Sequence, residues 1–319
     1  MPDDRELADT RAGTRLLTDR VPGQAAVDEV VVSRQSEALH SDDLIVTRPF
    51  GILFWFAIGW VSLVIILAVF ADLLPLTNPN FQNYAAINAG PSLHHLLGTD
   101  DLGRDLLSRI IYGARVSLIV GFLSVAIGLL VGGTLGLLSG YKGGRLDLAL
   151  NAGAFVILAF PAIVAVIAIV AFWGVSVWKL TLIIGIGTIP LMFRVVRAST
   201  LTIASRDFVV AARAMGASTS RILFREILPN VVPVALTFAL ITVAGVIVIE
   251  GSLAFLGLSV ALPTPSWGNL ISEGATNGNL QSNPLIMLWP ALAMFLLLLS
   301  INLIGDRLRQ RFDIREGLL

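Results

Sequence analysis

The sequence predicts an all-α polytopic membrane protein with six transmembrane helices and both termini in the cytoplasm. Of its 319 residues, 55% are hydrophobic and only 14% are charged, whereas a soluble domain carries about 25% charged residues. Several runs of roughly 20 apolar residues separate the charges, which is the length that an α-helix needs to cross a bilayer. These two observations argue against a soluble enzyme.

The composition also limits the chemistry that the chain can perform. Its net charge is zero, which gives no indication of a nucleic-acid partner, and it has no cysteine for a disulfide or a thiolate metal site. It contains no GxxxxGKS/T motif for ATP, no GxSxG and no HExxH. We therefore predict no catalytic residue and no cofactor bound by this chain itself.

One pair of histidines raises the question of a metal site. His94 and His95 lie near Asp100 and Asp101 in a predicted external loop, and imidazole and carboxylate groups suit divalent ions. Adjacent histidines point apart, however, and no third ligand follows at a suitable spacing. The sequence therefore predicts no metal site.

The chain divides into four segments. Residues 1–49 are polar and are predicted to form a disordered cytoplasmic tail. Residues 50–116 hold the first span and an external connection, 117–305 hold a five-helix core with the cytoplasmic loop 204–230, and 306–319 form a basic cytoplasmic terminus. The six spans are expected at about 50–76, 117–140, 148–172, 180–193, 231–258 and 285–305.

The external connection contains a candidate interfacial helix. Thr99, Asp100 or Asp101 can cap it, and its apolar stripe is expected to lie in the plane of the membrane interface. The stripe consists of Leu102, Leu106 and Ile110.

The second span carries glycines at a four-residue spacing, which places them on one ridge of the helix. Missing side chains along such a ridge let a second helix approach closely. The ridge is either a seam along which helices slide or a static packing seam. Its members are Gly128, Gly132, Gly136 and Gly140.

Three residues inside spans are candidates for bends or for the transport path. Pro161 predicts a kink in the third span. The fifth span has 28 residues, more than the ~20 needed to cross, so we expect a tilt or a break, plausibly at Gly251. Glu250 is the one acid well inside an apolar run, and it either lines or gates a pathway or packs structurally.

The orientation follows from the basic residues, which concentrate on the cytoplasmic side of membrane proteins. With six spans and both ends inside, the cytoplasmic segments hold 18 of the 22 basic residues. The long tail should be discounted, and without it the ratio is still 12 to 4.

The stretch from Asp207 to Asn230 is the longest charged segment between spans. Gly216 is expected to stop a first short helix, Ser218 and its neighbours to cap a second one, and Pro229 to end it. This shape suits a knob that docks in a groove of another protein, although an ordinary basic loop also fits. The apolar stripe of the first helix is Phe208, Ala211, Ala212 and Met215.

This stretch resembles the glutamate–alanine–alanine (EAA) loop of ABC-transporter permeases. Val210 stands where that family has the name-giving glutamate, and Glu226 stands at a position that is usually apolar. The residues that match in register are Ala211, Ala212, Gly216, Leu228 and Pro229.

Four further stretches resemble one subgroup, the "C" subunit of dipeptide and oligopeptide importer permeases. Together with the loop they cover the chain from about Phe50 to Arg315 in order. They are Gly98–Leu118, Leu158–Val164, Glu250–Ile271 and Gly305–Arg315.

The resemblance implies a type I ABC importer (MetI-like) permease fold in the bacterial inner membrane. It implies a homologous second permease, two cytoplasmic ATPases that bind ATP and Mg, and an external substrate-binding protein. Arg213 would contact the ATPase, and the alanines and Gly216 would allow close packing. The implied coupling residues are Asp207, Ala211, Ala212, Arg213, Ala214, Gly216, Leu228 and Pro229.

The implied cargo is a di- or oligopeptide. Relatives of this subgroup also carry nickel, glutathione or oligosaccharides, so these cargoes remain open. From other classes, a secondary transporter or channel working alone would predict paired charges within the membrane and inverted repeats, and a membrane scaffold without transport activity is a third possibility.

Overall fold

The computed structural model of the chain describes residues 51–276 and 279–316, so the prediction for the tail at 1–49 lies outside the described residues, as do residues 317–319 of the basic terminus. Its helices are α1 Ile52–Val69, α2 Leu106–Lys142, α3 Gly144–Ala159, α4 Ala162–Trp173, α5 Val177–Ala204, α6 Asp207–Ala214, α7 Thr219–Phe255, α8 Trp267–Ala275, α9 Asn279–Ser282 and α10 Leu285–Glu316.

Five of these helices are long and apolar enough to cross a membrane, namely α1, α2, α5, α7 and α10. The pair α3 and α4 passes the same test only when both are taken together, and the two are bent by 82°. The bend falls at Pro161, where the sequence predicts a kink. Phe160 is extended, as expected of the residue before a proline. The described helices therefore give six crossings when the bent pair counts as one.

The start of α2 differs from the prediction. The expected interfacial helix is the first part of α2 itself, because the helix begins at Leu106 and continues to Lys142. Asp105 is its N-cap and accepts a hydrogen bond from the Ser108 amide at 2.9 Å. Asp100 organises the preceding turn instead, since its Oδ1 accepts from the Leu102 and Arg104 amides.

The course of α7 also differs from the prediction. Pro229 does not end a helix, and Gly251 does not break one, because α7 runs through both. A π-helical turn at Ile222–Ile227 precedes Pro229. Such a turn widens the helix, so the proline ring, which lacks an N–H, is accommodated without ending it. Helix α8 packs closely here, since a Cβ added to Gly268 would lie 2.8 Å from the Gly251 Cα.

The glycine ridge of α2 faces α5, and these two helices form the most extensive helix–helix contact among the described elements. A Cβ at Gly136 would lie 2.6 Å from the Phe193 carbonyl oxygen, and one at Gly140 would lie 2.8 Å from the Thr200 Cβ. Hydroxyl groups join the same helices, because Ser124 donates to the Thr181 carbonyl at 2.8 Å. Whether the helices slide along this seam stays a prediction.

The buried side chains form two clusters. The larger one fills the space between α1, α2, α4, α5, α7, α8 and α10 and includes the fully buried Trp267 and Leu253. The smaller one lies where the far ends of α2 and α5 meet α6 and the start of α7, and it includes Leu137, Ile203 and Val209. The smaller cluster holds the segment from Asp207 to Asn230 against the ends of α2 and α5.

Two neighbouring glycines test the seam. A methyl group at Gly132 would clash with the Ile189 carbonyl oxygen of α5, whereas one at Gly133 would meet only the ends of Leu129 and Val196 at 3.7 and 3.8 Å. We expect Gly132→Ala to destabilise the purified protein by about 1–3 kcal/mol through overpacking. We expect Gly133→Ala to be neutral or stabilising, because alanine favours the helix by roughly 1 kcal/mol over glycine.

The measurement is the temperature at which half of the detergent-solubilised protein is lost from the monodisperse fraction. Equal shifts for the two variants would show that close α2–α5 packing is not what these glycines provide.

Candidate functional site

The short helix α6 is closed at its end by a glycine, as the sequence predicts. Gly216 has φ +79° and its amide donates to the Arg213 carbonyl at 3.0 Å. The next amide, of Ala217, donates to the Ala212 carbonyl at 3.0 Å. This pair of bonds is a Schellman cap, which needs the left-handed conformation at the glycine. Asp207 at the first turn and Arg213 at the last complement the helix dipole.

The two sides of α6 have different roles. Val209 and Ala212 are buried and pack into the smaller cluster. Phe208, Ala211 and Met215 are exposed, and Met215 is 81% exposed. The predicted stripe is therefore divided, because Ala212 belongs to the inner side while the other three members face outward. The outward side is small and apolar at its centre, which suits contact with another protein.

Arg213 already has a partner within the chain. Its guanidinium lies 5.5 Å from the ring centroid of Tyr141 near the end of α2, a distance at which cation and ring attract each other. This contact anchors the last turn of α6 to α2. The predicted contact of Arg213 with an ATPase is not tested by it.

Beside this anchor, one carboxylate joins three helices. Asp147 in the first turn of α3 accepts from Arg197 of α5 at 2.5 and 2.7 Å, and from the Ser139 hydroxyl of α2 at 2.6 Å. The two nitrogens of Arg197 bind the two oxygens of one carboxylate, which is the geometry of a strong ion pair. The start of the bent span is thus fastened to the α2–α5 seam. Asp147 and Arg197 are 50 positions apart, so no local pattern predicts this pair.

The other predicted residues of the coupling segment follow on α7. Leu228 is partly buried against the smaller cluster, and Pro229 is exposed. The second helix begins at Thr219 and is capped by Ser218, whose hydroxyl accepts from the Arg221 amide. This N-cap is one that the sequence predicts.

Glu250 is fully buried at the opposite end of α7. Its Oε1 accepts from the hydroxyls of Ser259 at 2.6 Å and Ser266 at 2.8 Å, and its Oε2 accepts from Ser117 of α2 at 3.3 Å. The carboxylate therefore joins α7, the loop that follows it and α2. This arrangement is that of a structural junction in the conformation described, and a gating role stays a prediction.

A second buried network lies near the start of α2. Asp100 Oδ2 accepts from Arg104 Nε and from Arg109 Nη1, each at 2.6 Å. Both arginines also lie 3.0 Å from Glu273 of α8, and the Arg109 side chain is 0% exposed. Of this network, the sequence could have predicted only the pair of Asp100 and Arg104, which are four positions apart.

The histidines are not gathered with these acids. His95 Nδ1 lies 3.0 Å from Asp105 Oδ1, so it contacts the residue that caps α2. His94 is exposed.

Comparisons with known proteins decide the family. The profile of the family described as "Binding-protein-dependent transport system inner membrane component" matches residues 132–316. The chain belongs to this family. It is therefore a multi-pass inner-membrane permease component of an ABC transport system, a class of system that works with an ATPase and a binding protein.

Curated relatives are similar over most of their length. A glutathione transport system permease protein, GsiD, of Pectobacterium atrosepticum is 39% identical over 255 residues, which cover 80% of this chain and 84% of that protein. A dipeptide transport system permease protein, DppC, of Alkalihalophilus pseudofirmus is 39% identical over 249 residues, covering 78% and 81%.

A solved structure shares the fold of this permease. A chain of the MetNI methionine ABC transporter, in an inward-facing crystal form, superposes with a TM-score of 0.54 at 20% sequence identity. The match covers 65% of this chain and 97% of that chain. The predicted type I permease fold is confirmed.

Two neighbouring aspartates test the outer network. Asp100→Asn removes one of the two carboxylates that pair with both arginines and leaves two buried guanidinium groups to share Glu273; breaking a buried ion pair costs about 3–5 kcal/mol. Asp101→Asn is the matched control, because the Asp101 side chain is 25% exposed and lies 3.9 Å from Arg104; a pair of this kind contributes at most about 1 kcal/mol. We expect a large loss of thermal stability in detergent for the first variant only. Similar losses for both would argue against a buried Asp100 network.

Proposed function

We propose that this permease imports di- and oligopeptides across the inner membrane, driven by separate ATPases that dock on α6. Its complete transporter contains a homologous second permease, two cytoplasmic ATPases and an extracytoplasmic binding protein. The ATPases bind ATP and Mg, whereas this chain contributes the pathway and the docking surface.

The outward face of α6 carries this proposal. Phe208 and Met215 are exposed on a helix whose opposite side is buried, and a helix that presents one apolar face suits a hydrophobic groove. Ala211 lies between them, and its small side chain lets the partner's backbone approach. The many arginines of this segment support a cytoplasmic position, on the side where the ATPases would bind.

The packing behind α6 gives it mechanical leverage. Val209 and Ala212 share one cluster with Leu137 of α2, Ile203 of α5 and Ile227 of α7. Because packed cores do not deform continuously, a displacement of α6 moves the ends of three spanning helices together. The cation–π contact between Arg213 and Tyr141 is a further link between α6 and α2.

The transport cycle then needs a two-state element that both ATP and cargo bias. We assign this element to the pair of permeases. Closure of the ATPases pulls α6 and tilts the attached helices, so the pathway opens outward and accepts a peptide from the binding protein. Hydrolysis reverses the tilt and releases the peptide inward.

The relatives support a peptide as the cargo. One is named for dipeptide transport and another for glutathione transport, and both compounds contain amide-linked amino acids and carry charged termini. Dipeptides and longer peptides are the first candidate, and glutathione is the second.

Two glycines with the same geometry test the docking role. Gly216 and Gly257 each close a helix with a Schellman cap, have φ +79° and +70°, and would meet no atom within 4 Å if a Cβ were added. Valine at either site therefore introduces roughly 1–3 kcal/mol of backbone strain, and its Cβ would meet no atom within 4 Å. Gly216 ends α6, whereas Gly257 follows α7 at its other end.

We expect Gly216→Val to reduce both the amount of ATPase that co-purifies with the permease and peptide uptake, while the protein stays in the membrane. Gly257→Val should keep the ATPase bound. Unchanged uptake and ATPase retention in Gly216→Val would contradict the coupling role of α6, and equal losses in both variants would assign the effect to strain alone.

The cargo is tested by uptake in a strain that lacks this chain. We expect uptake of a labelled dipeptide to be lost in the deletion strain and restored by the wild-type gene, because the pathway requires this permease. Restoration of glutathione uptake alone would select the second candidate. Restoration of neither would contradict peptide import.

A further inference from the structure

An apolar cleft lies beside α2 on the side where that helix begins. Its volume is about 600 Å³, and its walls include Ile65 of α1, Leu118, Phe122 and Ala126 of α2, and Trp178 of α5. The π-helical turn at Ile119–Leu123 forms part of the wall, and such turns often mark functional positions. Every lining residue except one is apolar, and the exception is Arg115.

Arg115 is fixed at the rim of this cleft. Its Nε donates to the Ala68 carbonyl at 2.8 Å, and its Nη2 binds the Asp72 carboxylate at 2.9 Å. The guanidinium also lies 5.4 Å from the centroid of the Tyr112 ring. Its Nη1 has no hydrogen-bond acceptor among the described residues, and the side chain is 32% exposed. One donor of a pre-oriented cation therefore remains available to an outside anion.

The position of Arg115 along α2 corresponds to the level of lipid phosphates. Arg115 and Lys142 are 27 positions apart on one helix, which is roughly 40 Å, the thickness of a bilayer with its headgroups. When Lys142 lies at the cytoplasmic surface, Arg115 lies at the outer one. Helix α1 ends beside Arg115, which donates to the carbonyls of Ala68 and Val69. The exposed Trp178, near the start of α5, lines the same cleft and is of the residue type that anchors helices at the interface.

The depth of the cleft fits an acyl chain. Ala126 is eleven positions beyond Arg115, or about 16 Å deeper, which is most of the roughly 20 Å between the phosphate level and the bilayer midplane. An occupant must therefore present an anion at the surface and an apolar chain through one leaflet. A phospholipid of the outer leaflet has this shape, and its phosphate accepts hydrogen bonds from a guanidinium with favourable geometry.

We propose that this cleft is a specific phospholipid site, with the phosphate on Arg115 and one acyl chain along α2 down to Ala126. The lipid fills the gap between α1 and the α2–α5 pair and thereby supports the attachment of α1. The proposal depends only on the membrane position of α2 and is independent of the cargo.

The test uses the permease extracted from the inner membrane with its co-purifying subunits and washed in detergent to remove loosely held lipid. Phospholipid retained per chain is then counted by mass spectrometry. Ala126→Trp fills the deep end of the cleft without touching any bond of Arg115, and Arg115→Gln removes the cation. Leu130→Trp is the control, because Leu130 is exposed on α2 and does not line the cleft.

We expect about one retained phospholipid in the wild type and in Leu130→Trp. A charge-assisted hydrogen bond contributes about a tenfold effect on binding, so Arg115→Gln should retain about tenfold less, and Ala126→Trp should retain little or none. Retention in Ala126→Trp equal to that of the wild type would overturn the proposal.

A second experiment does not depend on the stability of these variants. A photoreactive benzoylphenylalanine in place of Phe122 is activated in the washed complex. An adduct with the mass of a phospholipid supports the site. An adduct with a second polypeptide shows that a helix of another subunit covers the cleft, and it overturns the proposal, as does the absence of any lipid adduct.

Discussion

The contact between α2 and α5 is the constraint on which the rest of the permease depends. The glycines of the α2 ridge have no side chain, so the backbones of α2 and α5 lie closer together than they could with a Cβ between them. In a membrane the hydrophobic effect does not drive helices together, because lipid tails are as apolar as the side chains. Close van der Waals packing and hydrogen bonds such as that of Thr188 with the Ser124 carbonyl have to replace it.

The other functional parts are fastened to this pair. At one end, Asp147 binds Ser139 of α2 and Arg197 of α5 at once, so the bent span is attached across the seam. At the same end α6 packs on both helices through Val209. In the proposed mechanism, a force on α6 would act on the most extensive helix–helix contact among the described elements.

Local features of the fold could be predicted from the sequence, because local rules govern them. The stop at Gly216 and the kink at Pro161 depend on backbone conformations that glycine and proline impose on their own neighbours. Pro229 misled the prediction, because a helix in a membrane protein can continue through a proline: a π-helical turn precedes Pro229, and Pro190 and Pro290 also lie inside helices. No residue type in the sequence predicts a π-helical turn at this position.

The long-range polar contacts could not be predicted, because the residues that form them are distant in sequence. Arg104 and Glu273 are 169 positions apart, and Ser117 and Glu250 are 133 apart. Sequence reasoning therefore treats Glu250 as an isolated acid in an apolar span, although three hydroxyls surround it. The same limit applied to Arg213, whose ring partner lies on another helix.

The distribution of polar contacts differs between the two ends of the molecule. Near the start of α2, the buried charges of Asp100, Arg104 and Arg109 satisfy one another, and α8 is locked in place by Glu273. Rearranging that end would require several desolvated charges to separate, each at a cost of several kcal/mol. Helix α6 has instead a buried apolar side and an exposed outer face, so a partner can bind it without breaking any internal ion pair. The end with the buried charge cluster is therefore suited to hold the architecture fixed, while α6, whose own contacts are mainly apolar, is suited to transmit movement to the α2–α5 pair.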